Sequence, residues 1–133
     1  MNNRYSCRAK RKNCRELPKE KWWVEGCYAY MQPYHYIMPK DNFDSWIEID
    51  EKTLCACTGL KDMNGKLIWE NDIVIINGWI GKVMWSSNDT AYIVLPNDDI
   101  KNETYCLGYW VNEYNVEVIG NEIDNPELLE VGE

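Results

Sequence analysis

The chain has one histidine and one phenylalanine among its 133 residues. No apolar run approaches the roughly 20 residues that a membrane helix needs. No apolar segment follows the charged start, so no secretory signal is expected and an intracellular, cytoplasmic setting is. Gly-rich phosphate loops and a serine in a nucleophile-elbow pattern are both missing. The lone imidazole, His35, sits between Tyr34 and Tyr36 in a strand-like stretch, which reads as a tolerated core or surface residue rather than a base. Metal-ligand spacing is missing too. Cys7 and Cys14 are separated by six residues and Cys55 and Cys57 by one, whereas structural zinc wants two pairs with two to four residues inside each. Without a secretory route, Cys7, Cys14, Cys27, Cys55, Cys57 and Cys106 are expected as free thiols packed as small hydrophobes. Carboxylates such as Glu70, Asp72, Asp98 and Asp99 cluster, but 22 acidic residues make some clusters inevitable. The expectation is a chain with no catalytic residues, no cofactor and no metal.

What is present is a globular composition, 45% hydrophobic and 27% charged, rich in tryptophan (7) and tyrosine (9). These rings suit strands and half-buried surfaces, and also recognition surfaces. The net charge of −8 hides an asymmetry. Residues 1–21 hold eight of the 14 basic groups (Arg4, Arg8, Lys10, Arg11, Lys12, Arg15, Lys19, Lys21) against two acids, for +6, leaving −14 on the remainder. A basic arm on an acidic body can bind nucleic acid or pair with its own body, and the second reading is favoured because the body repels a polyanion.

Along the chain, residues 4–15 lack an amphipathic stripe and read as a short edge strand or a mobile arm. Strand formers begin at Trp22. Residues 22–31 and 34–38, broken by Gln32-Pro33, read as a hairpin, with Gly26 marking a bulge or close backbone approach. Residues 46–49 and 53–58 are further extended stretches. Asn64-Gly65 signals a type I′ turn, and Asn77-Gly78 a second tight turn. Residues 73–76 are apolar on both faces and read as a central strand. Strands are also expected at 79–85, with Gly81 permitting a bend, and at 91–95, 105–111 and 116–119. Asn125-Pro126-Glu127 reads as a cap, a first-position proline and an acid opening a helical turn. Short strands and turns at this density describe a mainly β chain with a small antiparallel barrel or roll.

Residues 58–74, TGLKDMNGKLIWENDIV, resemble the hallmark stretch of the YopX protein family of phages and prophages. Gly81-Lys82-Val83-Met84-Trp85 resembles its next strand. Glu117-Val118-Ile119-Gly120-Asn121 with Asn125-Pro126-Glu127-Leu128-Leu129 resembles its C-terminal signature, and Trp23-Val24-Glu25-Gly26 and His35-Tyr36-Ile37 its N-terminal part. The resemblance implies a phage or prophage protein of the host cytoplasm. It implies an SH3-type roll in the C-terminal half (58–123) and a smaller β-rich lobe (22–57); local pattern adds a tail with a short helical turn (124–133), and the basic arm (1–21), where the chain departs from the family pattern at Cys7 to Cys14, rests on composition alone. The resemblance carries no reaction, cofactor or catalytic residue across. Most of the signature is explicable as folding: Thr58 and Asp62 shape a turn through local bonds, and Gly59 and Gly65 supply unusual φ values.

Three functions compete. Catalysis is disfavoured for the absences above. Nucleic-acid binding would use Arg8, Lys10, Arg11, Lys12 and Lys82 for phosphates, with Trp79, Trp85, Trp110 and Tyr92 as stacking faces. The favoured expectation is a non-enzymatic module that binds a host or phage protein, or a second copy of itself, through an edge strand or an aromatic patch.

Overall fold

The computed structural model describes residues 6–42, 44–97 and 106–130. The chain is mainly β, with antiparallel strands and one α-helix among the described residues. It divides into two compact units, residues 1–57 and 58–133.

The first unit contains β1 (Cys7–Lys10), β2 (Trp23–Met31), β3 (Tyr34–Pro39), β4 (Ile47–Glu48) and the opening residues of β5 (Cys55–Lys61). The expected 22–31/34–38 hairpin is present, with Tyr28 opposite Ile37 and Tyr30 opposite His35. Gly26 is a close approach, since a β-carbon there would overlap the Met38 carbonyl oxygen. The expected edge strand or mobile arm is instead an interior strand: β1 pairs with β2 on one side and with β5 on the other. Ala9 explains the difference. Flanked by Arg8 and Lys10, it is the one small apolar side chain of the segment, and it is fully buried with Val24, Ile37 and Ile49. Arg8 and Lys10 point to the opposite face, so the strand does alternate, over too few residues to register as a pattern. The chain then comes round on itself. Arg11 bridges Ile49, the Lys12 N–H donates to the Glu48 carbonyl (2.9 Å) and the Asp50 N–H donates to the Lys10 carbonyl (2.9 Å). Among the described residues neither this ladder nor the four-stranded sheet of the second unit closes into a barrel.

The second unit contains the end of β5, β6 (Leu67–Trp69), β7 (Asp72–Ile76), β8 (Trp79–Ser86), β9 (Ala91–Pro96), α1 (Leu107–Glu113) and β10 (Val116–Asn121). Four strands form a sheet in the order β10-β7-β8-β9, so the doubly apolar run 73–76 is central, as its composition requires. Ile68, Val74, Ile76, Val83, Val94, Leu107, Trp110 and Val116 form its core. The expected strand over 105–111 is a correction: α1 covers this stretch, and Tyr105 lies outside the described residues. Tyr109, Trp110 and Val111 suggest a strand by type, but Leu107, Trp110 and Val111 recur at helical spacing, and Leu107 and Trp110 bury that stripe.

Turn chemistry departs from the simple reading in two places. The type I′ geometry falls at Asn77-Gly78 (φ 50° and 86°), whereas at Asn64-Gly65 only the glycine has positive φ (80°). Asp62 is the reason. Its Oδ1 accepts from the Asn64 and Lys66 N–H groups (both 2.9 Å) and its Oδ2 from Val118 N–H (3.0 Å). Burial pushes the Asp62 carboxyl upward, but these three backbone donors, helped by Lys66, outweigh it and hold the group below its ordinary range. Asn125 stands at the N-cap of a 3-10 turn, Pro126–Leu129, with Pro126 and Glu127 in its first turn as expected, but its side chain does not cap the turn: Oδ1 accepts from Asn121 N–H (3.2 Å).

Candidate interaction surface

The basic candidates of the N-terminal segment are drawn together by tryptophan. The Arg8 guanidinium lies 4.8 Å from the centre of the Trp23 ring, and the Lys10 ammonium lies 4.8 Å from Trp22 and 5.7 Å from Trp23. Lys19 reaches the same Trp22 ring at 5.9 Å. The Trp22 indole N–H donates to the Leu17 carbonyl (2.8 Å), which fixes the ring that the two lysines share. Arg11 donates through Nε to the Lys21 carbonyl (2.9 Å), and the Lys12 side chain is exposed. Rings and backbone carbonyls therefore anchor these cations, rather than only the acidic body expected for them. Each ring contact is a modest attraction, about 0.5–1 kcal/mol at an exposed site.

The C-terminal candidates are dispersed. Trp79 is not an open stacking face: it packs against the core and meets Trp110 edge-on at 5.2 Å. Trp110 is itself core, and Tyr92 is half-buried against the same cluster. Lys82 is committed to Glu122 (3.0 Å). Trp85 alone of that group stands well exposed, edge-on to Tyr92 at 5.1 Å. Asp72 is buried and accepts from Trp69 N–H (2.8 Å), a structural role, while Asp98 and Asp99 lie outside the described residues. Cys55 and Cys57 are buried on one face of β5, and Cys27 and Cys106 are exposed.

The exposed aromatic surface lies elsewhere, on the β2–β3 hairpin and the approach to β4. Tyr28, Tyr30, Met31, Tyr34 and Trp46 are 37–57% exposed. Residues opposite each other in an antiparallel pair share a face, so Tyr28 and Tyr30 stand with His35 and Ile37, and Met31 with Tyr34. Tyr36 lies opposite Glu48 and carries Trp46 edge-on at 5.7 Å, with Tyr34 at 6.4 Å on its other side. Both faces of the hairpin thus present rings. At the base of the same unit, Arg11, Trp23, Glu25, Lys40, Asp41 and Ser45 line an open cleft of about 650 Å³.

His35 is more constrained than a tolerated histidine. Its Nδ1 is 2.6 Å from the Tyr28 hydroxyl and its Nε2 is 2.8 Å from Glu51 Oε2. The Tyr30 ring lies 4.7 Å from the imidazole. The sequence gives a partial signal, since Tyr30 faces His35 once the hairpin register is drawn and Tyr28 is then the diagonal neighbour. Glu51 carries none, because it arrives from a 3-10 turn, Glu51–Thr53, with no hydrophobic periodicity of its own.

No helix among the described residues is long and apolar enough to cross a membrane. A family model described as YopX protein matches residues 7–130. No curated protein matches the chain.

Proposed function

This chain belongs to the YopX family, and on that premise we propose that it is a phage or prophage accessory protein that works in the host cytoplasm as a non-enzymatic protein-interaction module. The observation that carries this reading is the exposed set Tyr28, Tyr30, Met31 and Tyr34 on one hairpin, with Trp46 on the approach to β4. Tyrosine and tryptophan bring large apolar area with few rotatable bonds, which suits the buried centre of a partner interface. Edge-strand addition is the weaker route. On β10, Val116 O is taken by Met63 N–H and Val118 N–H by Asp62; on β9, Ile93 is bridged by Cys106. The β10-β7-β8-β9 sheet, strongly packed at Gly81 against Val94, supports an SH3-type roll for the C-terminal half.

The test compares the full chain with a Tyr34→Ala/Trp46→Ala variant, both checked for fold by circular dichroism. Partner capture during phage induction and light scattering are read side by side. A specific partner or a dimer retained by the parent and lost from the variant is expected. A monomer that retrieves the same proteins with or without those two rings would overturn the reading.

A second reading, nucleic-acid binding, is favoured by the cations ranked along Trp22 and Trp23. Its affinity would fall steeply with salt, and Lys12→Gln and Lys19→Gln would flatten that slope. No mobility shift with single- or double-stranded DNA at low salt removes it.

A further inference from the structure

We propose that Tyr28, His35 and Glu51 form an activated-tyrosine site, at which the Tyr28 phenol accepts an acyl group from an activated ester. A carboxylate oxygen only accepts hydrogen bonds, so the proton in the 2.8 Å contact belongs to His35 Nε2. In a neutral ring Nδ1 then has only its lone pair, and the Tyr28 hydroxyl donates to it across 2.6 Å. The order is hydroxyl, imidazole, carboxylate: a nucleophile within reach of a base that a third group orients. Nothing in the packing of the hairpin requires it, since neither Tyr28 nor Glu51 belongs to the apolar cluster of Ala9, Val24, Ile37 and Ile49.

The surroundings select the electrophile. Glu51 is exposed and repels a phosphate or other anion, whereas a neutral carbonyl meets no such barrier. The Tyr30 ring beside His35 offers a flat apolar face to an aromatic leaving group. In the step, Tyr28 Oη bonds to the acyl carbon and its proton passes to His35 Nδ1. The imidazolium, held by Glu51, returns that proton to the departing oxygen, which leaves as an alcohol or phenol. The product is an O-acyl tyrosine. Such a modification site needs no turnover and is compatible with an interaction module, whose aromatic face it would alter.

Neighbouring tyrosines provide an internal control. Tyr30 and Tyr34 are 54% and 51% exposed, against 37% for Tyr28, so a reaction governed by access alone would favour them. The full chain, its exposed thiols Cys27 and Cys106 first capped with N-ethylmaleimide, is treated with p-nitrophenyl acetate, release of nitrophenolate is followed, and the acylated residue is located by peptide mass spectrometry. One equivalent released in a burst, with acetyl on Tyr28, is expected. Tyr28→Phe should remove the burst, and His35→Gln should slow it by about a hundredfold, the range of a lost general base. Glu51→Gln should lie between. Acylation of Tyr30 or Tyr34 at the same rate as Tyr28, or an unchanged Tyr28 rate in folded His35→Gln, would overturn the proposal.

Discussion

The two units of this chain are built on opposite electrostatic plans. Residues 1–57 carry ten basic and eight acidic groups, net +2, while residues 58–133 carry four and fourteen, net −10. The hydrophobic plans differ as well. The C-terminal unit buries eight large or branched side chains in one cluster, including Trp110 and Leu107, whereas the N-terminal cluster holds Ala9, Val24, Ile37 and Ile49. In the C-terminal unit the polar groups that matter are buried carboxylates, Asp62 and Asp72, spent on backbone donors. In the N-terminal unit they are cations over indoles and a histidine between a phenol and a carboxylate. The first arrangement fixes a shape. The second leaves aromatic rings and charge at the surface.

The contrast in cores is broken most sharply by Trp110→Ala. Removing a large buried ring costs about 3–5 kcal/mol, and denaturant unfolding of the C-terminal unit should shift accordingly. Ile37→Ala in the smaller N-terminal cluster should cost about 2–4 kcal/mol. A larger cost for Ile37→Ala than for Trp110→Ala would contradict the inequality of the two cores.

Asp62→Asn sharpens the carboxylate side of the contrast. The loss of charged acceptors for three backbone donors should cost about 2 kcal/mol at neutral pH. Because the folded Asp62 carboxyl is held below its ordinary value, its stabilisation is fully present above the unfolded value and disappears as pH falls through the folded one. The gap between parent and variant, measured by denaturant titration, should therefore narrow in acid. A gap that widens in acid would contradict the assigned direction.

The smallest expected effect is on the cation side. Lys10→Ala removes an ammonium from between Trp22 and Trp23 and should cost about 0.5–1 kcal/mol. Indole fluorescence of the N-terminal unit is expected to change more than the stability does. A cost of several kcal/mol would mean that Lys10 serves the core rather than the surface.

The parts of this design legible in sequence are those set by neighbours. The β2–β3 hairpin, the tight turn at Asn77-Gly78 and the central strand with Ile73, Val74 and Ile76 all follow from local pattern. What escaped depends on distant partners. β1 is an interior strand because β5 arrives from far along the chain to pair with Arg8 and Cys7. Asp62 reaches Val118, and Glu51 reaches His35, by routes that no spacing encodes. In α1 the strand preference of Tyr109, Trp110 and Val111 is overridden by the stripe that Leu107 and Trp110 bury. Of the proposed contacts, the basic residues were legible as a charge run, but Trp79 and Lys82 were already engaged by Trp110 and Glu122.

The interior position of β1 governs how the charged segment can be studied. Trimming the first twenty residues would withdraw a rung flanked on both sides, exposing the inner edges of β2 and β5 and uncovering Val24 and Ile37. A shortened protein of that kind would report aggregation where the experimenter meant to read affinity. Charge in this region is better erased one side chain at a time, with the ladder left whole.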